Sequence, residues 1–168
     1  VQAGTVGIVG TGTMGVGLAG LFVGMGWRVI LLSRQDHAAD HAREVVLDRL
    51  ARSMDEQEIT ECASRLIASS HAGSLGECDV VIESVVEDLP AKRAVLRSIE
   101  PHLRADALLV TNTSGLSLDA LAEVLERPER FGALHFFNPV SRMKLVETSV
   151  ARASRQGLAD ELEEIAVS

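Results

Sequence analysis

Short apolar runs alternate along the chain with longer amphipathic stretches, and this alternation predicts strands separated by helices. The run at 5–10 consists mainly of apolar residues and glycine, which is typical of a buried strand. It continues through a glycine-rich turn into an apolar helix predicted at 16–25, which Gly26 terminates. A strand predicted at 28–32 completes the first βαβ unit.

The rest of the chain continues the same alternation. Further strands are predicted at 79–82, 107–111, 131–137 and 143–148, with a weaker one at 67–71. Further helices are predicted at 36–53, 56–69, 89–103, 117–125 and 154–167, with Pro90 in a first turn and Ser117 as an N-cap. Apolar strands separated by helices imply a parallel sheet covered on both faces, which is a doubly wound α/β fold.

Composition limits the classes of partner. The 168 residues suffice for one domain, and a formal net charge of −8 argues against nucleic acid, because affinity for its backbone comes from clustered lysine and arginine. Cys62 and Cys78 form no C-x-x-C pair, so we expect reduced thiols in a cytoplasmic protein. The apolar stretch 16–23 is too short to span a bilayer and follows no basic segment, which predicts neither a membrane anchor nor a signal peptide.

The turn after the first strand carries the spacing Gly10-x-Gly12-x-x-Gly15 between a predicted strand and a predicted helix. In that context Gly10 permits a tight turn, Gly12 leaves room for a pyrophosphate, and Gly15 lets the helix pack on the strand. The helix N-terminus, with Thr13 and Met14, supplies free N–H groups for phosphates. We interpret this turn as a dinucleotide-binding loop; the alternative is a tight turn without a ligand.

The end of the second strand indicates which dinucleotide is bound. NAD-specific domains place an acidic residue there to hold the ribose hydroxyls, whereas this sequence has Ser33 and Arg34. A hydroxyl followed by a guanidinium suits a 2′-phosphate, so this pair favours NADP(H). The alternative is a solvated Arg34 and NAD(H) with weaker ribose contacts.

Three residues of the second half could perform a proton transfer. Moving a hydride from a secondary alcohol needs a base for the hydroxyl proton, and His135 closes a predicted strand at the edge where such sheets bind ligands. Glu147, on the next predicted strand, could orient the imidazole, and Ser114 could hydrogen-bond the substrate oxygen. The alternatives are a boundary histidine and a serine that caps a loop.

Four segments resemble the N-terminal domain of the L-3-hydroxyacyl-CoA dehydrogenases, between Thr5 and about Ser149. They are Gly10–Gly15, Val81–Leu89, Thr111–Ser114, and Leu134–Val140 together with Met143–Glu147. The resemblance implies a Rossmann-type fold and hydride transfer between NAD(P) and the 3-hydroxyl or 3-oxo group of an acyl thioester, carried on CoA or a carrier protein. NAD(H) is the usual cofactor of the family.

The resemblance also implies roles for particular residues. His135 would be the general base, Glu147 its partner, and Ser114 a ligand of both the substrate hydroxyl and the cofactor. The complete set of expected cofactor contacts is Gly10, Gly12, Thr13, Met14, Gly15, Ser33, Arg34, Glu87, Lys92, Asn112, Ser114 and Asn138. Glu87 and Lys92 could instead form an ordinary ion pair near a helix start.

The helices predicted at 36–53 and 56–69 match a helical pair that the family inserts over CoA. Their arginines either contact CoA phosphates or form a solvated face; these are Arg43, Arg49 and Arg52. His37 and His41 lie one helical turn apart, but no other feature supports a metal ion, so we expect no metal site.

The sequence departs from the family pattern at Ser33, at Gly115 in place of a second serine, and at Ser141–Arg142 in place of a largely apolar stretch. We assign 1–151 to the dinucleotide-binding domain and 152–168 to a terminal helix that continues it. The family's helical C-terminal domain lies outside these residues, so we expect either a piece of a longer protein or a module completed by a partner. Two other functions are a binding module without catalysis and a dehydrogenase of free hydroxy acids, which would need a lysine base on a later helix.

Overall fold

A computed structural model describes residues 4–167 and contains a seven-stranded sheet with helices on both faces. The strands are β1 Thr5–Val9, β2 Arg28–Leu32, β3 Leu66–Ser69, β4 Val80–Glu83, β5 Leu108–Thr111, β6 Phe131–Phe136 and β7 Val146–Val150. The helices are α1 Thr13–Gly24, α2 Asp36–Leu50, α3 Glu56–Arg65, α4 Leu89–Ile99, α5 Leu118–Ala122 and α6 Leu158–Val167. Short 3₁₀ turns occupy Ala72–Glu77, Glu100–His102 and Pro128–Arg130.

The strand order is β3-β2-β1-β4-β5-β6-β7, and every neighbouring pair from β3 to β6 is parallel. The chain leaves β1 in one direction to form β2 and β3 and returns to its other side to form β4, which creates a switch point beside β1. The predicted doubly wound α/β fold is therefore confirmed. Ligands of such sheets bind at the carboxyl ends of the strands, next to this switch point.

The last strand corrects the expectation of a wholly parallel sheet. β7 runs antiparallel to β6, with His135 opposite Glu147. The segment 137–145 that joins them contains no helix, so the chain returns directly along its neighbour. The structure places this strand at Val146–Val150 instead of 143–148.

Several helix boundaries also differ from the prediction. The first helix already begins at Thr13, and the final helix begins only at Leu158. The helix predicted at 56–69 ends at Arg65, because the next residues pair with β2 as strand β3. The fourth helix gives way to a 3₁₀ turn at Glu100–His102, where Pro101 has no N–H to donate, and α5 ends at Ala122.

Alternate residues of the central strands pack into two apolar layers. On one face Ile8 and Leu31 contact the layer formed by α1, α2 and α6, where Leu158 and Leu162 are fully buried. On the other face the strands pack against α4 and α5. Cys62 and Cys78 are buried and unpaired, as predicted. Within 4–167 no helix is long and apolar enough to cross a membrane.

Candidate active site

The glycine turn connects β1 to α1 at the carboxyl edge of the sheet. Gly10 has φ of +116°, and a Cβ there would lie 2.6 Å from the carbonyl oxygen of Ser84. A Cβ on Gly15 would lie 1.9 Å from the carbonyl oxygen of Gly10. The backbone itself therefore requires glycine at both positions, because no L side chain fits these contacts. Met14 is half-buried and packs against the core, whereas Thr13 is exposed.

Gly12 differs from its two neighbours in the motif. It is the N-cap of α1 with φ of −73°, which any residue can adopt, and a Cβ there would have no described atom within 4 Å. The fold of residues 4–167 thus gives no reason for glycine at this position. An open space in front of the first turn of α1 fits a pyrophosphate, since that turn offers unpaired N–H groups and partial positive charge.

Ser33 and Arg34 follow β2 beside this turn. The amide of Ser33 donates to the carbonyl of Ser69, and Gly10 donates to the carbonyl of Leu32, so the two loops lie side by side. Ser33 is half-buried and Arg34 is exposed. Within residues 4–167 the guanidinium of Arg34 forms no ion pair, which leaves it accessible to a ligand.

A groove of about 310 Å³ runs between the glycine turn and α2. Thr11, Gly12 and Thr13 line one side, and His41 and Arg49 are among the residues of α2 that line the other. Arg49 is therefore the arginine of the predicted set that borders the dinucleotide loop.

Arg43 has a different role from either of those predicted. Its guanidinium donates to the carbonyls of Ala63 and Leu66 at 2.8 Å each, which closes the C-terminal end of α3. A half-buried arginine with these partners belongs to the packing of α2 against α3.

His135 and Glu147 face each other across β6 and β7. The Nδ1 atom of His135 lies 3.0 Å from a carboxylate oxygen of Glu147. The imidazole is 19% exposed, and its ring centroid lies 4.4 Å from that of Phe137. Because Nδ1 is engaged by the carboxylate, the Nε2 atom is the nitrogen available to a substrate.

Ser114 lies on the loop after β5 and is held by Glu87. One carboxylate oxygen of Glu87 accepts from the hydroxyls of Thr113 at 2.6 Å and Ser114 at 3.0 Å, and from the amides of Ser114 at 2.8 Å and Gly115 at 3.3 Å. Partial burial alone would raise the pKa of Glu87, but these hydrogen bonds and the charge of Lys92 outweigh it and lower the pKa from 4.5 to about 2. Glu87 is therefore ionised at neutral pH.

Lys92 lies beneath the site and not on its surface. Its side chain is 1% exposed, and its Nζ atom lies 2.9 and 3.0 Å from the two carboxylate oxygens of Glu83 and 3.5 Å from Glu87. The alternative of an ion pair between Glu87 and Lys92 is thus present in the structure, and the expected contact of Lys92 with a cofactor stays a prediction.

The two predicted asparagines occupy different environments. The side-chain oxygen of Asn112 accepts from the backbone amide of Phe136 at 2.8 Å, and the backbone amide of Asn112 donates to the carbonyl of Glu83 at 2.8 Å. Asn112 thus joins the ends of β4, β5 and β6, and it contacts β6 at the residue that follows His135. Asn138 is exposed and precedes a cis peptide bond to Pro139. Their contacts with a cofactor also stay predictions.

Sequence reasoning gave no role to Glu83, Thr113 or Phe137, although all three contact predicted site residues. An acidic residue at the end of an otherwise apolar strand was the available signal for Glu83, because such a residue must find a partner when it is buried. No local pattern identifies Thr113 or Phe137.

The fold and the glycine turn define the class of protein: the chain is a dinucleotide-binding domain of the doubly wound type. The family described as "3-hydroxyacyl-CoA dehydrogenase, NAD binding domain" matches residues 5–168, and the chain belongs to this family.

Individual relatives agree with that assignment. The fatty acid oxidation complex subunit alpha of Psychrobacter cryohalolentis is 37% identical, with 89% of this chain covering 23% of that protein. The 3-hydroxybutyryl-CoA dehydrogenase of Bradyrhizobium diazoefficiens is 36% identical, and the match covers 84% of this chain and 50% of that protein. The crystal structure of (S)-3-hydroxybutyryl-CoA dehydrogenase from Ralstonia eutropha superimposes with a TM-score of 0.92 at 30% identity, with coverage of 98% and 60%. The chain thus spans between about a quarter and three fifths of these proteins.

Proposed function

We propose that the protein containing this chain is an oxidoreductase that interconverts 3-hydroxyacyl and 3-oxoacyl thioesters with a nicotinamide cofactor. The observation that supports this most is the 3.0 Å contact between His135 and Glu147 at the sheet edge that also carries the glycine turn. A domain that only bound a dinucleotide would have no use for an imidazole oriented by a carboxylate.

The residues of the site suit the proton transfer. In the oxidative direction, Nε2 of His135 takes the proton of the substrate hydroxyl while the C3–H bond breaks and a C3=O bond forms. Glu147 accepts the Nδ1–H of His135, which fixes the tautomer and stabilises the imidazolium that results. A nicotinamide cofactor held at the glycine turn would supply the acceptor for the hydride that leaves C3.

Ser114 suits a role in binding because of its bond to Glu87. The Ser114 hydroxyl donates a hydrogen bond to that carboxylate, so its oxygen lone pairs are directed to other donors. A ribose hydroxyl of the cofactor can donate to them, whereas the single O–H of the substrate alcohol is committed to His135. The hydroxyl of Ser114 is therefore suited to act as an acceptor for the cofactor ribose, placed beside the reacting alcohol.

We also infer that the cofactor site accepts a 2′-phosphate, although the family is described as NAD-binding. Arg34 is exposed and unpaired within residues 4–167, and Ser33 stands where a carboxylate would repel the phosphate. Arg49 likewise supports CoA as the carrier of the acyl group. It borders the groove beside the glycine turn, and its guanidinium suits a CoA phosphate.

The direct test is turnover by the intact protein. We expect oxidation of NADH or NADPH with acetoacetyl-CoA, and much slower oxidation with free acetoacetate. The same acyl group on acyl carrier protein distinguishes the two carriers. Tight cofactor binding without turnover of any thioester would contradict the proposal and favour a binding module. Equal rates with free acetoacetate would favour a hydroxy-acid dehydrogenase.

A further inference from the structure

Glu83 is a buried carboxylate at the end of β4 that the proposed chemistry does not use. It is 0% exposed, and it accepts from the hydroxyl of Thr111 at 2.7 Å and the amide of Val85 at 2.6 Å. Its third partner is the ammonium of Lys92, bound to both carboxylate oxygens. Removing two charges from water is costly, and a buried ion pair of this kind is often no more stabilising than an apolar pair. Stability alone is thus a weak explanation for this arrangement.

Lys92 connects this buried carboxylate to the surface of the site. Its Nζ atom lies between the carboxylates of Glu83 and Glu87, and it also donates to the carbonyl of Val85 at 3.3 Å. An ammonium has three N–H groups, and these oxygens account for all of them. The position of Nζ is therefore set from three sides, with Glu83 as the nearest.

Glu87 divides its two oxygens between the lysine and the loop after β5. One oxygen faces Lys92, and the other accepts every bond from Thr113, Ser114 and Gly115. A displacement of the ammonium must rotate or shift this carboxylate. Ser114 would move with it, because both its amide and its hydroxyl are bound to the same oxygen.

We propose that Glu83 is a positioning residue for Ser114 and that it acts through Lys92 and Glu87. Glu83 holds the ammonium away from Glu87, so that Glu87 keeps its oxygen on the loop. Without the charge at 83, Nζ moves onto Glu87 and draws the carboxylate off Ser114. This inference rests on the proposed function for its kinetic consequence, but the displacement of Ser114 does not depend on turnover.

The experiment compares Glu83→Gln with the unmodified intact protein by two measurements. The first is the amide signal of Ser114 in protein labelled with 15N-serine, assigned with Ser114→Ala. We expect this signal to move upfield in Glu83→Gln, because the bond to the carboxylate is weakened. The second is kcat with acetoacetyl-CoA, which we expect to fall by about tenfold to a hundredfold, the usual effect of a displacement of about 1 Å in a catalytic site.

Glu100→Gln is the matched control. Glu100 is 3% exposed and accepts from the amides of Glu126 and Arg127 at the opposite edge of the sheet. This variant should lose stability without changing kcat or the Ser114 signal. The conservative Glu83→Asp should recover part of kcat. The double variant Glu83→Gln/Lys92→Met removes the ammonium that would draw Glu87 off the loop, so it should return the Ser114 signal towards that of the unmodified protein and recover part of kcat.

The outcomes separate the two proposals. An unchanged Ser114 signal in Glu83→Gln, or a double variant whose Ser114 signal stays as displaced as in Glu83→Gln, overturns the positioning role. If Glu83→Gln does not fold, Glu83→Asp decides, because its shorter carboxylate should still move the Ser114 signal, and an unchanged signal there overturns the role. The unmodified protein could lack turnover while the Ser114 signal still shifts in Glu83→Gln. In that case the positioning role stands and the proposed function fails.

Discussion

Glu87 and Glu147 are both partly exposed carboxylates at one edge of the sheet, yet their partners give them different tasks. Glu147 is 60% exposed and contacts the imidazole of His135. Glu87 is 41% exposed and receives its hydrogen bonds from the loop 113–115, with Lys92 behind it. Glu147 thus orients the imidazole of His135, while Glu87 shapes the loop that carries Ser114.

The low pKa of Glu87 predicts a specific dependence of stability on acid. Because the folded-state pKa is about 2 and the ordinary value is 4.5, the stabilisation is fully present above the ordinary value. It is lost as the pH falls from about 4.5 towards 2. The melting temperature of the unmodified protein should therefore fall more steeply over this range than that of Glu87→Gln. The exposed Glu163→Gln is the control, and parallel curves for all three proteins would refute the assignment.

The exposed guanidinium of Arg34 predicts that the protein prefers NADPH to NADH. A charge-assisted hydrogen bond is worth about 1.5–3 kcal/mol, so NADPH should bind about tenfold to a hundredfold more tightly than NADH. Arg34→Ala should remove that difference, whereas the exposed Arg97→Ala on α4 should preserve it. Fluorescence titration measures both constants. Equal affinities in the unmodified protein would show that Arg34 contacts no 2′-phosphate.

At the scale of elements, the junction of β1 with α1 contains glycines with separate functions. Gly10 packs closely against the backbone just after β4, and Gly15 packs against the carbonyl of Gly10. A Cβ added at Gly12 would meet no described atom within 4 Å. The fold requires the first two, and we propose that a bound dinucleotide accounts for the third.

This difference predicts opposite effects for two substitutions. Gly15→Ala should lower the free energy of unfolding by about 1–3 kcal/mol or more, because its Cβ meets a backbone oxygen at 1.9 Å. Gly12→Ala should leave the melting temperature nearly unchanged and weaken cofactor binding by about tenfold, or about 1.4 kcal/mol. Denaturant unfolding and fluorescence titration measure the two effects. A Gly12→Ala variant that binds cofactor normally would contradict our interpretation of the open turn.

The sequence predicted the elements well where a segment decides its own structure. Strand β2 was predicted at its observed bounds, because a continuous apolar run flanked by turns is a local signal. The end of α3 could not be predicted from the local sequence, because Leu66 ends the helix by pairing with Val29 on β2. The direction of β7 likewise depends on which strand it meets.

The candidate site divides in the same way at the scale of the whole molecule. The pairing of His135 with Glu147 followed from two strands and one recognised motif. The burial of Lys92 against Glu83 could not be predicted from the sequence, because that contact arises only when α4 packs on the end of β4. Sheet topology brings the glycine turn, Ser114 and His135 to one edge, although more than a hundred residues separate the first from the last.

The most direct test of this account is to compare His135→Gln with the unmodified intact protein in cofactor binding and in turnover of acetoacetyl-CoA. Glutamine can still hydrogen-bond Glu147, so we expect cofactor affinity within about twofold while kcat falls by about 10²- to 10⁴-fold, the usual contribution of a general base. His102→Gln, on an exposed turn at the opposite edge of the sheet, should change neither quantity. Turnover by His135→Gln at the unmodified rate would contradict the central claim.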